Sequence, residues 1–376
     1  MRVKLEDVCE RGSSNLKQSD VVGKRGDYPV FGAAGQIGCV DFYQQERPYV
    51  AVVKDGAGIG RTTLLPAYSS IIGTMQYLLP KDNILPEYLC YVVRHMHLEK
   101  YFSGATIPHI YFKDYKSEMF NLGTIEKQEE IVGILGQVER VILNRKQQLQ
   151  KLDELVKARF VEMFGDPEIN SFDWPVCTLK ELVSIEPQNG LYKPQSAYVQ
   201  DGSGFPIVRI DAFYNGRITN FSTLKRLECS ESEVQRYLLQ ENDIVINRVN
   251  SIEYLGKCAH IKGLLEETVF ESNMMRLHLD DTVMNAVFAT KLLCSQYIYK
   301  QIMIRAKKAV NQASINQQDV LSFRMFVPPL ELQEQFAAFV EQTDKSKVIE
   351  AIYKTNTLFN ITLNGGNCYD IRANEF

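Results

Sequence analysis

The stretches IYFKDYKSEMFNLGTIEKQEEI (residues 110–131) and INQQDVLSFRMFVPPLELQEQF (residues 315–336) repeat one another and reveal how the chain is organised. Identical residues recur in them at a constant offset of 205 positions. The identical pairs are Ile110 and Ile315, Asp114 and Asp319, Ser117 and Ser322, Glu126 and Glu331, Gln128 and Gln333, and Glu129 and Glu334. Because a fixed offset is the signature of a duplicated structural unit, the pattern predicts a tandem duplication.

A second match lies near the start of each half, where VKLEDV (residues 3–8) resembles CTLKEL (residues 177–182) at an offset of 174. Because the offset grows from 174 to 205, the second unit is 31 residues longer than the first. Strand-and-turn segments precede helix-like segments in the same order in both units. The repeats therefore predict two mixed α/β domains, at residues 1–122 and 166–327.

The segment between the two domains has the pattern of one long helix. Gly165 and Pro167 end the pattern, as a C-terminal glycine and a following proline do. Arg145 and Arg159 interrupt one of two apolar seams that repeat every seven residues. The seam residues are Leu135, Ile142, Leu149, Val156 and Met163, with Ile131, Val138 and Leu152. This predicts a coiled-coil helix over residues 123–165, which would span roughly 60 Å.

The second repeat predicts a matching helix over residues 328–363, followed by a tail at residues 364–376. A helix with an apolar seam needs a partner, so we expect the two helices to pair; the alternative is that each packs on its own domain. The predicted fold class is α+β. Two tandem mixed α/β domains are each followed by a long helix, and the helices form an antiparallel coiled coil with pseudo-two-fold symmetry.

Composition predicts a cytoplasmic protein. No stretch is apolar enough to cross a membrane, and the start has no signal-peptide core. The eight cysteines form no Cys-x-x-Cys pair, so we expect no structural zinc site.

Signatures of catalysis are missing from the sequence. FGAAGQIG (residues 31–38) and DGAGIGRTT (residues 55–63) carry glycines but are not followed by a helix, so we interpret them as turns rather than nucleotide loops. The tetrapeptide of amino-methyltransferases and the common zinc-protease and serine-hydrolase motifs do not occur. The sequence therefore predicts a chain without catalytic residues or a metal site.

The segment NQASINQQDVLSFRMFVPPLELQEQF and the segment LQKLDELVKARFVEMFGDP followed by WPVCTLKELV resemble the specificity subunit of type I restriction–modification systems. The resemblance covers nearly the whole chain. In the first unit, Gly123 and Thr124 replace the double proline of that pattern. The resemblance implies two target recognition domains, each reading one half of a split double-stranded DNA site, with the helices setting the gap between the halves.

The resemblance also implies partners. Two modification (methyltransferase) subunits and the restriction/translocase subunits would bind this chain, and S-adenosylmethionine, ATP and Mg²⁺ would reside on those partners. This chain would be the non-catalytic recognition subunit, with no cofactor of its own. Three alternatives remain open. One is a recognition subunit of a related restriction system with a fused methylase–nuclease partner, and another is a coiled-coil scaffold that binds only proteins. The third is an enzyme that uses the glycine loops.

The formal net charge of −4 is unusual for a nucleic-acid binder, which commonly carries a basic excess. Any DNA-binding surface must therefore be local, with Lys and Arg for phosphates and Asn and Gln for base edges. The second-unit candidates are Arg209, Lys225, Arg226, Asn247, Arg248, Asn250, Arg305, Lys307, Lys308, Asn311 and Gln312. The first-unit candidates are Lys54, Arg61, His109 and Lys113. The alternative for each is an ordinary solvated residue.

Overall fold

A computed structural model of the chain describes residues 1–56, 58–103, 108–218, 221–310 and 312–364, with side chains except at residues 214 and 348–364. The fold divides into two compact units, one built on Met1–Asn144 and the other on Arg145–Asn356. Both units mix helices and strands, as the repeat predicts. The chain divides between these units inside the central helix, which was predicted as a separate segment. This division does not test the predicted domain boundaries, which stay predictions. No helix in the described ranges is long and apolar enough to span a bilayer.

The first unit packs antiparallel strands against short helices. Its strands are β1 (Arg2–Lys4), β2 (Cys9–Ser13), β3 (Tyr28–Gly32), β4 (Gly35–Val40), β5 (Tyr49–Val53), β6 (Thr62–Leu65), β7 (Ser70–Ile71), β8 (Met75–Pro80) and β9 (Met119–Asn121). Its helices are α1 (Leu5–Val8), α2 (Pro86–His95) and α3 (Phe112–Tyr115), followed by the long α4 (Ile125–Phe164). The main sheet has the order β2-β8-β5-β6, and a smaller sheet has the order β4-β3-β7. Strand β5 is buried along its whole length and therefore lies at the centre of the core.

The second unit repeats this plan with insertions. Its strands are β10 (Val176–Thr178), β11 (Val183–Asn189), β12 (Tyr198–Val199), β13 (Phe205–Val208), β14 (Phe213–Tyr214), β15 (Gly216–Ile218), β16 (Arg226–Leu227), β17 (Ile244–Asn247), β18 (Val249–Asn250), β19 (Cys258–His260), β20 (Val269–Phe270), β21 (Met274–Leu279), β22 (Lys307–Lys308), β23 (Ala313–Ser314) and β24 (Arg324–Phe326). Its helices are α5 (Glu231–Tyr237), α6 (Ala286–Leu293), α7 (Gln296–Arg305), α8 (Gln317–Leu321) and α9 (Leu330–Asn364). The order β11-β21-β17-β19 repeats the main sheet of the first unit and continues into β15 and β14.

Equivalent hydrogen bonds confirm the duplication. The Leu5 amide donates to the Glu118 carbonyl over 3.0 Å, and the Leu179 amide donates to the Phe323 carbonyl over 2.8 Å. The two donors are 174 positions apart and the two acceptors are 205 positions apart, which are the two offsets found in the sequence. Strand β1 pairs with β9, and β10 pairs with β24 in the same antiparallel register. The predicted repeat is therefore a repeat of structure at the start and the end of each unit.

Two identical residues of the repeat have the same function in the fold. The side-chain oxygen of Gln128 accepts from the Leu85 amide over 2.9 Å, and that of Gln333 accepts from the Asn285 amide over the same distance. Their amide nitrogens donate to backbone carbonyls just before the long helix, at 3.0 Å and 2.7 Å. Both side chains are fully buried. Each glutamine therefore fixes the start of its long helix to the N-terminus of an earlier helix of the domain, α2 for Gln128 and α6 for Gln333.

The two long helices pair in antiparallel fashion within the second unit. Asp153 on α4 contacts Lys347 on α9, whereas Phe164, eleven residues further along α4, lies near Phe336, eleven residues before Lys347. The ring centroids of Phe164 and Phe336 are 5.5 Å apart. The Arg159 guanidinium lies 5.9 Å from the Phe339 ring. The predicted antiparallel pairing is therefore confirmed for this part of the helices.

The packing of this helix pair corrects one detail of the predicted seam. The fully buried residues at the end of α4 are Val156, Phe160 and Phe164, which are spaced by four rather than by the heptad pattern. Phe160 stacks on Phe288 of α6, with centroids 5.5 Å apart. The helix end therefore packs against its domain as well as against α9, and Met163 is only partly buried.

Candidate nucleic-acid interface

In the first unit, a glycine turn between β5 and β6 presents two of the predicted cations. The Gly60 amide donates to the Val53 carbonyl over 2.9 Å, and Gly60 has a φ of +80°. A Cβ at Gly60 would lie 2.7 Å from the Glu99 amide nitrogen, so both the backbone conformation and the space require glycine. Arg61 leaves this turn exposed and donates to the Ala33 carbonyl over 3.0 Å.

The first-unit surface is completed by a neighbouring segment of chain. The Ile110 amide donates to the Lys54 carbonyl over 2.9 Å, which brings His109 beside the turn. Nδ1 of His109 lies 2.6 Å from Oδ1 of Asp55, and the Lys54 ammonium lies 3.6 Å from the same carboxylate. Lys54 and His109 therefore lie together around one carboxylate.

An exposed tyrosine extends this surface. Tyr111 keeps 50% of its area exposed and stacks on His109, with ring centroids 6.3 Å apart. The Lys113 ammonium lies 5.2 Å from the Tyr111 ring, within the range of a cation–π contact. Of the predicted first-unit residues, Lys54, His109 and Lys113 are thus brought together. An aromatic face beside cations is the combination that contacts bases and phosphates.

The second unit has the same construction around β17 and β19. The Ile315 amide donates to the Arg248 carbonyl over 3.0 Å, as Ile110 does to Lys54. The Gly256 amide donates to the Asn247 carbonyl over 2.8 Å, and Gly256 has a φ of +77°. Arg248 therefore occupies the position of Lys54, and Gly256 occupies that of Gly60. The turn is longer here, with residues 248–257 in place of residues 54–61.

A small sheet collects the predicted polar residues of the second unit. Its order is β18-β23-β22, with Asn250 and Lys308 both opposite Ala313 and Lys307 opposite Ser314. The hairpin closes where the Ala309 amide donates to the Gln312 carbonyl over 2.7 Å. The exposed members are Lys307, Lys308 and Gln312, while Asn250 is half-buried. Asn311 lies outside the described residues.

Arg248 differs from these exposed residues because it is half-buried. Its Nε donates to the Ser272 carbonyl over 3.1 Å, and burial lowers the pKa of its guanidinium. A guanidinium remains charged even so, because its usual pKa lies far above neutrality. A desolvated cation interacts more strongly with a phosphate or a base than a hydrated one does. Arg248 is therefore the strongest single candidate in this surface.

In the second unit the structure adds two residues that the sequence analysis does not single out, Tyr254 and Lys257. The Lys257 ammonium lies 4.0 Å from the ring of Tyr254, which is 47% exposed. The Asn247 amide donates to the Lys257 carbonyl over 2.7 Å, and the Val53 amide donates to the Arg61 carbonyl over 2.9 Å. Lys257 thus occupies the position of Arg61. The available signal was the glycine turn YLGKC, which matches GIGRT once the longer loop is allowed for.

Asn247 has a positioning role rather than a place on the surface. It is fully buried, and its Nδ2 donates to the Tyr254 carbonyl over 2.7 Å. Its Oδ1 is buried and has no hydrogen-bond partner among the residues that the structure describes. The side chain therefore holds the turn that carries Tyr254 and Lys257.

Other predicted cations make contacts within the fold. Arg226 forms two hydrogen bonds to Glu266, at 2.7 Å and 2.8 Å. Nε of Arg305 donates to the Ser322 hydroxyl over 2.8 Å, and its guanidinium lies 5.8 Å from the Phe323 ring. Arg226 and Arg305 therefore stabilise local structure, although both side chains remain partly exposed to solvent.

Arg209 and Lys225 of the second unit share Asp211 as an acidic neighbour. Arg209 lies 3.6 Å from Glu271, and Lys225 lies 3.9 Å from Asp211. Burial raises the pKa of Glu271, and the Arg209 charge opposes that rise. Both cations thus have their charge offset by acidic side chains within the protein. Across the described ranges, no group of three or more His, Cys, Asp or Glu side chains is arranged to hold a metal ion.

The chain contains two copies of one mixed domain. Each copy is followed by a long helix and presents a loop surface with cations, an arrangement that suits a tandem recognition protein. Comparison with known protein families identifies the family of this chain. The family described as "Type I restriction modification DNA specificity domain" matches residues 1–154 and 172–358. The chain therefore belongs to this family.

Relatives with curated names agree with that membership. The chain is 31% identical over 204 residues to the putative type I restriction enzyme MjaX specificity subunit of Methanocaldococcus jannaschii, covering 51% of this chain and 46% of the relative. It is 27% identical over 186 residues to the type I restriction enzyme EcoKI specificity subunit of Escherichia coli, covering 47% of this chain and 39% of the relative. The matched stretches thus span less than half the length of these relatives.

A solved structure supports the fold. The S subunit of the type I restriction–modification system from M. genitalium aligns with a TM-score of 0.59, covering 96% of this chain and 94% of that chain. The sequence identity is 14%, so this likeness concerns the arrangement of helices and strands alone.

Proposed function

We propose that this chain is the sequence-specific DNA-binding subunit of a type I restriction–modification system, and that it recognises a bipartite double-stranded DNA target. Each repeat would read one half of the target with its own loop surface. The observation that carries the proposal is the shared backbone geometry, in which Lys54 and Arg248 occupy the same position of the two domains. Because the chain belongs to the DNA specificity family, we interpret this shared position as part of the DNA-reading surface of each domain.

The chemistry of both surfaces suits DNA. Exposed Lys side chains neutralise phosphates and fix orientation, while Arg, Asn and Gln read base edges in the major groove. Tyr254 and Tyr111 add exposed aromatic faces beside a lysine. The side chains at equivalent positions differ between the repeats, and the second turn is longer. The two halves of the recognised sequence should therefore differ, so the full target would not be a palindrome.

The partners follow from the same family. Two modification (methyltransferase) subunits and the restriction/translocase subunits would bind this chain and carry out the chemistry. S-adenosylmethionine, ATP and Mg²⁺ would be bound by those partners, and this chain would contribute recognition rather than catalysis. The paired helices would act as the spacer that fixes the gap between the two half-sites, because packed helices transmit a fixed length along their axes.

The charges around the surfaces support a dependence on partners. Lys54 lies against Asp55, Arg226 against Glu266 and Arg209 against Glu271, and the chain as a whole is acidic. Cations already paired within the protein release fewer counterions from DNA on binding. The partner subunits would therefore supply much of the phosphate neutralisation.

The experiment that tests this function is methylome sequencing of a host without other DNA methylation that expresses the chain with its modification subunit. The expected result is one split motif with a modified adenine in each half, lost when the gene for this chain is removed. A continuous motif, or modification that persists without the chain, would refute the proposal.

A further inference from the structure

Two cysteines of the second unit lie side by side. Cys258 begins β19 and is buried, whereas Cys294 directly follows α6 and is exposed. Their Sγ atoms are 3.3 Å apart, although 36 positions separate the two residues in the chain. The pair thus joins a strand of the main sheet to the end of the helix that covers it. An exposed thiol next to a buried one is the arrangement of a reactive and a resolving cysteine.

The surroundings favour ionisation of the exposed thiol. The hydrogen bond from Cys258 lowers the pKa of Cys294, and the Lys291 ammonium acts in the same direction. The same hydrogen bond and burial raise the pKa of Cys258, which therefore keeps its proton. Since the thiolate is the reactive form of cysteine, Cys294 is the nucleophile of the pair.

We propose that Cys258 and Cys294 form a reversible disulfide when the protein meets a peroxide. The Cys294 thiolate attacks one peroxide oxygen, the O–O bond breaks, and the hydroxide that leaves takes up a proton to become water. The Cys258 sulfur then attacks the sulfenic acid at Cys294, the S–O bond breaks, and its proton leaves with the hydroxyl group as water. Two thiols are oxidised by two electrons, and one peroxide is reduced to two waters.

The local geometry permits the bond. A disulfide needs an S–S distance of about 2.05 Å, so the two sulfurs, 3.3 Å apart, must approach by about 1.3 Å. The bond would close a loop across the hydrophobic core between β19 and α6. Closing a loop of this size removes entropy from the unfolded chain, so the oxidised protein should be more stable than the reduced one.

The test treats the full chain with hydrogen peroxide, blocks free thiols in denaturant and maps disulfide-linked peptides by mass spectrometry. The expected product links Cys258 to Cys294, reverts with dithiothreitol and raises Tm by about 5–10 °C. Cys258→Ser should stop at a sulfenic acid on Cys294 that dimedone traps, and Cys294→Ser should form no link to Cys258. The matched controls Cys39→Ser and Cys229→Ser, which change half-buried thiols, should still form the link.

Two results would overturn the inference. One is that Cys258 and Cys294 both remain free under conditions that oxidise Cys39. The other is that the Cys258→Ser variant gives no sulfenic acid at Cys294 although the variant folds, as judged by circular dichroism. Neither result bears on the DNA-binding proposal, since the test involves no DNA.

Discussion

The Nζ atom of Lys347 lies 2.5 Å from Oδ1 of Asp153, an ion pair that joins the two long helices within the second unit. Lys347 is nearly buried, with 8% of its side chain exposed. It also lies 3.1 Å from Asp344, which in turn lies 2.6 Å from Arg217 of β15. Oδ2 of Asp153 accepts from Asn215 over 2.6 Å. The helices and the sheet edge of the second domain are therefore held by one connected polar network.

Replacing Lys347 by Met should lower the free energy of unfolding. The change leaves Asp153 and Asp344 without their shared cation, and breaking such a pair costs up to about 3–5 kcal/mol when fully buried. Because both acids are partly solvated, we expect about 1–3 kcal/mol. Urea unfolding measures the loss. The control Lys345→Met changes a lysine that is 72% exposed and should cost less than about 0.5 kcal/mol. Equal losses in the two variants would argue against the network.

Phe160→Ala should destabilise the second unit more than any surface change on the same helix. The Phe160 ring contacts Phe288 at 5.5 Å and Phe336 at 5.4 Å, so its removal leaves a cavity between α4, α6 and α9. Such a truncation costs about 3–5 kcal/mol. Val161→Ala, at a position that is 50% exposed, is the matched control and should cost less than about 1 kcal/mol. Thermal unfolding that shifts equally for both would contradict this packing.

Gln333→Ala should loosen the start of α9. The substitution leaves the Asn285 amide and the Pro328 carbonyl without their buried partner, which costs about 2–4 kcal/mol. Gln128→Ala should show a similar cost in the first unit, because its hydrogen bonds are equivalent. Hydrogen exchange would report faster opening of residues at the start of the affected helix. Gln342→Ala, which changes an exposed glutamine of the same helix, serves as the control. Unchanged hydrogen exchange in Gln333→Ala would contradict the shared role of the two glutamines.

The isolated chain should bind DNA with a shallow dependence on salt. Lys54, Arg209 and Arg226 already lie against acids, and the chain is acidic overall, so we expect about two to four phosphate contacts and a slope of log K against log salt between about −2 and −4. Fluorescence anisotropy over a salt series measures this slope. Adding the modification subunits should steepen it. A slope near −8 for the isolated chain would show that it neutralises the DNA by itself.

Much of the fold was predictable because the duplication left identical residues in equivalent places. Gln128 and Gln333 show this directly, since each makes the same hydrogen bonds 205 positions apart. The heptad pattern predicted the central helix but missed Phe160. Its position does not belong to the seam, and its contact with Phe288 comes from the domain rather than from the partner helix. A pattern along one helix cannot predict a contact with a third element.

The candidate site was only partly predictable for a related reason. Lys54 and Arg248 stand out as cations next to buried strands, so their residue type and position were visible in the sequence. Lys257 was missed because its match to Arg61 depends on the length of the second turn. The partnership of Arg226 with Glu266 spans 40 positions and no local pattern signals it. Sequence alone therefore indicated cations but not which of them the fold neutralises.

If each repeat reads its own half of one DNA target, Lys54→Ala and Arg248→Ala should change different halves of the methylated motif. Each variant is expressed with the modification subunit in a host without other DNA methylation, and the modified bases are sequenced. Lys54→Ala should weaken or relax modification through one half of the motif, and Arg248→Ala through the other half, with the gap unchanged. If both substitutions altered the same half, or if neither changed the extent or sequence of modification, the account would be contradicted.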